Sequence, residues 1–212
     1  MSELARFGVA TTYMAAGYTG LIDIPLIQII PGSRIAGPAR TVQCTRHDNL
    51  MVHAVMEKIR LGEVLVITMP SAAPVALMGE LLATQALRHG AAGVLIDGAV
   101  RDSADLVELG LPIWARYVRA TQAAKDRPGA LGVPVVIGGT TVNPGDIIVL
   151  DSDGAVAVPA DRAAAVLAAA TELRRLESER RVEYEKGALS LDLMGLRSKL
   201  KGAKEAGGTS EG

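Results

Sequence analysis

The sequence predicts an α/β fold with a mixed sheet, and three observations carry that reading. Apolar runs of strand length, "EVLVITM" (63–69), "AAGVLID" (91–97) and "LPIWARYV" (111–118), are separated by helical patterns. Strand-helix-strand alternation of this kind makes at least part of the sheet parallel. In "DIIVLDSDGAVAVP" (146–159) an Asp-Ser-Asp-Gly turn separates two apolar runs. That pattern reads as a hairpin and adds antiparallel pairing.

Taken in order, "TTYMAAGY" (11–18) opens with hydroxyl residues suited to capping a short helix, and "SRIAGPARTVQCT" (33–45) reads as a strand broken by a Gly-Pro turn. "DNLMVHAVMEKIRLG" (48–62) spaces Leu50, Val52 or His53, Met56 and Ile59 helically, with Asp48 or Asn49 as cap and Gly62 as stop. After the buried strand at 63–69 comes a loop through Pro70 and Pro74. "GELLATQALRHG" (79–90) has Glu80 in its first turn and Arg88 and His89 at its end, the charge order a helix dipole favours. "SADLVELG" (103–110) is a short helix, and "VPVVIGG" (133–139) is a further strand. Past Pro159 the alanine-rich and then charged run 160–187 forms helix throughout, and the charges from Arg174 to Lys186 read as a solvated face. "LSLDLMGLRSKL" (189–200) is too small for a core of its own, and "KGAKEAGGTSEG" (201–212) reads as a disordered tail. The boundaries that follow are 1–160 for the main domain, 161–200 for a C-terminal arm packing on the body or a neighbouring subunit, and 201–212 for the tail.

Composition narrows the function. In 212 residues, 22 Lys+Arg against 23 Asp+Glu leave a net charge of -1, so no global basic field attracts nucleic acid or an anionic membrane. An aromatic content of 3% leaves few rings on which bases could stack. The single Cys44 cannot pair within the chain, and "IPLIQII" (24–30) is too short to span a bilayer. A soluble, cytoplasmic protein that binds neither nucleic acid nor membrane is the expectation.

The sequence has no P-loop, no dinucleotide-binding glycine fingerprint, and no cysteine or histidine pair at metal spacing, and His47, His53 and His89 read as structural. What remains is "GVLIDGAVRDSADLVELG" (93–110), a strand whose end delivers Asp97 and Gly98 to a sheet edge, with Arg101 and Asp102 in the loop beyond. Locally that loop has two readings. Asp102 or Ser103 caps the next helix while Arg101 pairs with a carboxylate, or the loop binds a ligand. A second loop favours the ligand. Gly79 permits close backbone approach, and the free N–H groups opening "GELLATQ" form an anion site. If the loops are neighbours, one pocket holds amides, the Arg101 guanidinium and the carboxylates of Glu80, Asp97 and Asp102. It suits a small oxo-acid and a hard divalent cation, Mg²⁺ or Mn²⁺. Lys58, Lys125, Lys186, Lys199, Lys201 and Lys204 all fall in predicted helices, an exposed loop or the tail. Metal-assisted carbonyl chemistry is therefore favoured over a Schiff base.

"GELLATQALRHGAAGVLIDGAVRD", "PIWARY", "GTTVNPGDIIVLDSDGAVAVP" and "LESERRVEYEKGALSLDLMGLRSKL" resemble the 4-hydroxy-4-methyl-2-oxoglutarate and 4-carboxy-4-hydroxy-2-oxoadipate aldolases, from about residue 11 to residue 200. The "GxxRD" core is shared with ribonuclease E activity regulators, which typically stop before such a C-terminal extension. The resemblance implies an αββα sandwich assembled as trimers or hexamers, with active sites between subunits. It assigns Asp102 to a divalent metal, Arg101 to the substrate beside it, and the amides of Gly79, Glu80, Leu81 and Leu82 to the pyruvyl carboxylate. Glu80 stands at an acidic position of these aldolases, and Glu177 matches a glutamate from the adjacent subunit that organises metal-bound water. The implied reaction is a retro-aldol cleavage releasing pyruvate with pyruvate or oxaloacetate, with oxaloacetate decarboxylation as a side activity. The alternatives are a non-catalytic ribonuclease regulator and another metal-dependent oxo-acid lyase. "HDNL" (47–50) keeps the family's Asp-Asn, whereas Ala15 and Ala16 stand where relatives often have an aspartate.

Overall fold

The structure, a computed structural model, describes residues 2–200; the predicted tail at 201–212 lies outside the described residues. The chain opens with helix α1 (Ser2–Ala15), kinked at Gly8, where φ is 81°. That conformation favours glycine, and a Cβ would stand 2.5 Å from Asp151 Oδ2. The same oxygen accepts the Val9 N–H at 2.9 Å, so the kink is tied to the distant hairpin. Thr11 and Thr12 lie inside α1, not at its start, because the helix draws on the apolar residues Leu4 and Val9, which are buried against the sheet.

A short edge strand β1 (Ile27–Gln28) precedes the long strand β2 (Ile35–Gln43). The Gly37-Pro38 pair does not break β2 as the sequence predicted. It marks where the strand changes partners: Ile35 to Pro38 pair antiparallel with one neighbour, and Ala39 to Gln43 pair parallel with another. A Cβ on Gly37 would meet the Gly62 carbonyl at 2.2 Å, so the corner requires a residue without a side chain. Helix α2 (Leu50–Val55) is shorter than its apolar spacing predicts and passes at Met56 into a 3₁₀ turn before β3 (Val64–Thr68). The predicted loop through Pro74 contains one further strand, β4 (Ala76–Met78), which feeds α3 (Glu80–Arg88). Then come β5 (Gly93–Val100), α4 (Ser103–Leu109), β6 (Ile113–Val118), β7 (Ala130–Leu131) and the small hairpin β8 (Val135–Ile137) and β9 (Thr140–Val142). The predicted hairpin is β10 (Ile147–Asp151) with β11 (Gly154–Val158).

The main sheet runs β1-β6-β5-β3-β2-β10-β11, with β4 added beside β5 and β7 beside β2. Its centre, β2, β3, β5 and β6, is parallel, and the pairings of β1, β7, β10 and β11 are antiparallel. Three apolar clusters fill the layers. One holds residues of α2, α3 and α4 with one face of the parallel strands. A second joins the other face to the β8-β9 hairpin through Trp114, whose indole N–H donates to the Asp151 carbonyl at 2.9 Å. The third packs α1 and the start of a long helix, α5 (Ala163–Glu185), on β10 and β11. Helices and strands are thus layered as an αββα sandwich.

Contacts divide the chain into residues 1–172 and 173–212. The first unit retains the opening of α5 because Val166 and Ala170 are buried in its third cluster. In the second unit the remainder of α5 is followed by α6 (Ser190–Leu193) and a 3₁₀ turn over Leu196–Leu200. Its charges pair along the helix, Arg174 with Glu177 at 3.4 Å and Lys186 with Glu183 at 2.8 Å, which is the solvated face the sequence predicted. Among the described residues no helix is long and apolar enough to cross a membrane.

Candidate functional site

The parallel pairing of β4 with β5, Met78 against Val100, brings the ends of two strands side by side. Each strand then turns into a helix, so the loop at Gly79 and the loop at Arg101-Asp102 meet. The Arg101 N–H donates to the Met78 carbonyl at 3.1 Å, and the Glu80 N–H donates to Asp102 Oδ2 at 3.2 Å. A Cβ on Gly79 would lie 2.4 Å from Asp102 Oδ2 and 2.9 Å from Arg101 Nε. Gly79 has φ −132°, which any residue adopts, so glycine is required here for room and not for conformation.

Of the two local readings of this loop, the structure removes one part, a side-chain cap by Asp102, and keeps another, the pairing of Arg101 with a carboxylate. Asp102 stands at the N-cap of α4 with φ 58° and ψ 42°, left-handed backbone that is uncommon outside glycine though aspartate adopts it more readily than most, and its carboxylate makes no capping bond. Instead, Oδ2 crosses to the start of α3 and also faces Arg101 Nε at 3.4 Å. Both side chains keep about a third of their surface open, 39% and 36%. Strain of this kind, held in place by a neighbouring element, is characteristic of ligand-binding loops. At α3 itself, the first turn leaves the N–H groups of Leu81 and Leu82 without an intrahelical acceptor, and no side chain caps them.

Beside these loops lies a cavity of about 200 Å³ lined by Met78, Gly79, Leu81, Leu82 and Arg101 on one wall. Asn49, His53, Gln122 and Lys125 are the polar residues of the other. The sequence reading missed this second wall. His53, read as structural, is at the cavity, its imidazole held below the usual 6.5 by loss of solvation first and by the charge of Lys125 second. Lys125, read as part of an exposed loop, is the lysine that the sequence did not place at the pocket. The sequence argument against a Schiff base, that no lysine is presented at the pocket, therefore does not hold.

Two carboxylates depart from the predicted cluster. Asp97 is not at the end of its strand, because Ala99 and Val100 continue β5 between β4 and β6. Its side chain is buried and pairs with Arg116 Nη1 at 3.3 Å; burial raises its pKa, and Arg116 opposes that shift. Neither residue lines the cavity. Glu80 contributes its N–H to the site, but its carboxylate turns aside, accepts the Thr84 hydroxyl at 2.7 Å and lines a separate groove with Asp105 and Glu108. Glu177, in the second unit, pairs with Arg174 and lines a surface pocket with Arg180, Arg181, Tyr184 and Glu185.

The residues present limit the kind of metal ion that fits. Asp102 offers one carboxylate, of which Oδ2 faces the Glu80 N–H and Arg101 Nε. No group of three or more His, Cys, Asp or Glu among the described residues could hold a metal ion. This set suits a hard divalent cation that keeps water and ligand oxygens for most of its coordination. It does not suit an ion that requires several protein ligands, such as structural zinc.

Comparison with known proteins identifies the family. The profile of the RraA-like family, described as Aldolase/RraA, matches residues 14–157. A protein of Halalkalibacterium halodurans with the provisional name 4-hydroxy-4-methyl-2-oxoglutarate aldolase is 33% identical over 153 residues, 71% of this chain and 73% of its own. Streptomyces coelicolor RraAS2, described as an unusual member of the RNase ES inhibitor RraA protein family, superposes with TM-score 0.78 at 30% identity, covering 85% of this chain and 96% of its own. The RNA-processing inhibitor RraA from Thermus thermophilis superposes with TM-score 0.63 at 32% identity, over 70% and 92%. On the profile match and these similarities, the chain belongs to the RraA-like family.

Proposed function

We propose that the cavity is the active site of a divalent-metal-dependent aldolase acting on a 4-hydroxy-2-oxo acid, 4-hydroxy-4-methyl-2-oxoglutarate or 4-carboxy-4-hydroxy-2-oxoadipate. The observation that carries this reading is the meeting of Arg101 and Asp102 with the open N–H groups of α3. Amide donors and a guanidinium recognise the carboxylate and keto oxygens of an oxo-acid.

The residues divide the work. The N–H groups of Leu81 and Leu82 hold the pyruvyl carboxylate, and Gly79 lets the substrate approach the backbone. Asp102 holds a divalent cation, Mg²⁺ or Mn²⁺, whose chemistry when bound is Lewis-acid polarisation of the keto group. Arg101 stabilises the negative charge that gathers on the keto oxygen as the C3–C4 bond breaks and its electron pair enters the enolate. His53, a lining imidazole whose lowered pKa favours the neutral, proton-accepting form, takes the proton of the C4 hydroxyl, directly or through water. The hydroxyl becomes the carbonyl of the second product, and C3 regains a proton from water. Lys125 offers a cation to the carboxylate at the far end of the substrate. Glu177 serves the site of an adjacent subunit in a trimer or hexamer, and oxaloacetate decarboxylation accompanies the aldolase activity.

A lactate-dehydrogenase-coupled assay with both hydroxy-oxo acids, each with Mg²⁺ and with EDTA, tests the reading. Pyruvate release that depends on Mg²⁺ is expected. The similarity to the two RraA proteins favours a second reading, a non-catalytic regulator of ribonuclease activity. Absence of pyruvate release from either acid or from oxaloacetate, together with inhibition of a ribonuclease E-type enzyme, would establish that reading instead.

A further inference from the structure

The residues that build the second wall of the cavity are far apart in sequence, and two side chains outside the proposed chemistry hold them together. Asp48 is buried, with 1% of its surface exposed. Its Oδ1 accepts the Leu50 N–H at 2.9 Å, in the first turn of α2. Its Oδ2 accepts the N–H groups of Asp126 and Arg127 at 2.8 and 3.0 Å. Asn49, also buried, occupies the N-cap of α2 without capping it. Its Nδ2 instead donates to the Leu77 carbonyl of β4 at 3.0 Å, two residues before Gly79.

Backbone bonds complete the frame. The Asn49 N–H donates to Ala124 and the Ala124 N–H to His47, both at 2.9 Å, while the Ala76 N–H donates to Thr121 at 2.8 Å. Segment 121–127 is therefore a strap laced to the entry of α2 on one side and to β4 on the other. Gln122 and Lys125 lie on the strap, and His53 lies one turn into α2. Burial opposes ionisation of Asp48, but the three N–H donors and the charge of Arg127 outweigh it and hold the carboxyl below its usual value.

We propose that Asp48 and Asn49 are a positioning pair that sets the distance between the two walls: Asp48 grips the strap carrying Gln122 and Lys125, and Asn49 grips the strand leading to Gly79. Neither residue takes part in bond making. Asp48 acts through the strap it holds and Asn49, itself on the cavity wall, through its grip on β4, so substrate affinity depends on them more than the chemical step does. The proposal rests on the oxo-acid reading for its ligand, though not for its geometry.

Two near-isosteric variants of the full chain test the pair. Asp48→Asn keeps an oxygen for Leu50 but turns an amide N–H₂ toward the Asp126 and Arg127 donors. Asn49→Asp replaces the donor facing the Leu77 carbonyl with an acceptor. For either variant with Mg²⁺, KM for the hydroxy-oxo acid is expected to rise about tenfold while kcat changes less than about threefold. Amide hydrogen exchange should quicken over 122–127 in Asp48→Asn and over 76–82 in Asn49→Asp, with β3 unchanged in both. Three results would overturn the proposal: an unchanged KM, an unchanged exchange rate in the gripped segment, or acceleration spread evenly over the sheet. If the unsubstituted protein releases no pyruvate, the oxo-acid reading fails, and exchange alone decides the grip: acceleration confined to the named segment supports it, and none refutes it.

Discussion

The two walls of the cavity differ in how they are built. Gly79, Arg101 and Asp102 lie just past the ends of adjacent parallel strands, where register places them together without further help. His53, Gln122 and Lys125 come from a short helix and an irregular segment, joined by a buried carboxylate that reaches from residue 48 to residues 126 and 127. The first wall follows from strand pairing. The second depends on a few long-range hydrogen bonds, so substitutions should affect the chemistry on the first wall and binding or protonation on the second.

The largest effect is expected at the strand-end wall. Arg101→Ala should lower kcat/KM for pyruvate release by roughly a hundredfold or more, about 3 to 4 kcal/mol, as for loss of an oxyanion donor. A rate near that of the unsubstituted protein would remove Arg101 from the mechanism. Gly79→Ala comes next. A methyl group 2.4 Å from Asp102 Oδ2 must displace Asp102 or Arg101, and a displacement of this size should cost roughly ten- to a hundredfold in kcat. Thermal unfolding should change little, since the backbone there is ordinary; equal activity would show that the loops are not held as tightly as the contact implies.

On the second wall, His53→Gln should lower kcat/KM about tenfold or more at neutral pH. The pH profile gives the sharper test. Because the folded pKa of His53 lies below 6.5, its neutral form prevails above that value, and activity should fall as the pH drops through the folded pKa. Stability carries the same sign. The unfolded chain binds the proton more readily, so His53 favours folding above pH 6.5 and loses that contribution progressively below it. Both acid limbs should flatten in His53→Gln, measured by steady-state kinetics and by urea unfolding at several pH values. The smallest expected effect concerns Lys125. Borohydride added with pyruvate should leave the intact mass unchanged, whereas a reduced adduct on Lys125 would return the Schiff-base mechanism to consideration.

The parallel core, the β10-β11 hairpin and the long C-terminal helix were legible in the sequence because each has a local signal: apolar runs, a turn between them, alanine-rich spacing. The Arg101-Asp102 loop was legible for the same reason, as a strand end followed by a helix start. Where local signals misled, tertiary contacts were the cause. Gly37-Pro38 looked like a turn, but β2 continues through it between two partners. Asp97 looked like a strand end, but pairing on both sides carries β5 three residues further. Glu80 sits at a predicted anion site, yet Thr84 one turn later draws its carboxylate away. Lys125 and His53 had no pattern to mark them, since their proximity depends on Asp48 bridging 78 residues of chain to Asp126.

The most direct test of the central claim, that the paired strand ends and the strap enclose one oxo-acid site, is to follow amide chemical shifts of isotope-labelled protein as pyruvate is added with Mg²⁺. Saturable shifts should appear at Leu81, Leu82, Arg101 and Asp102, with smaller ones at 122–127, and should vanish in Asp102→Ala. Shifts confined to other parts of the chain, or none at millimolar pyruvate, would contradict it.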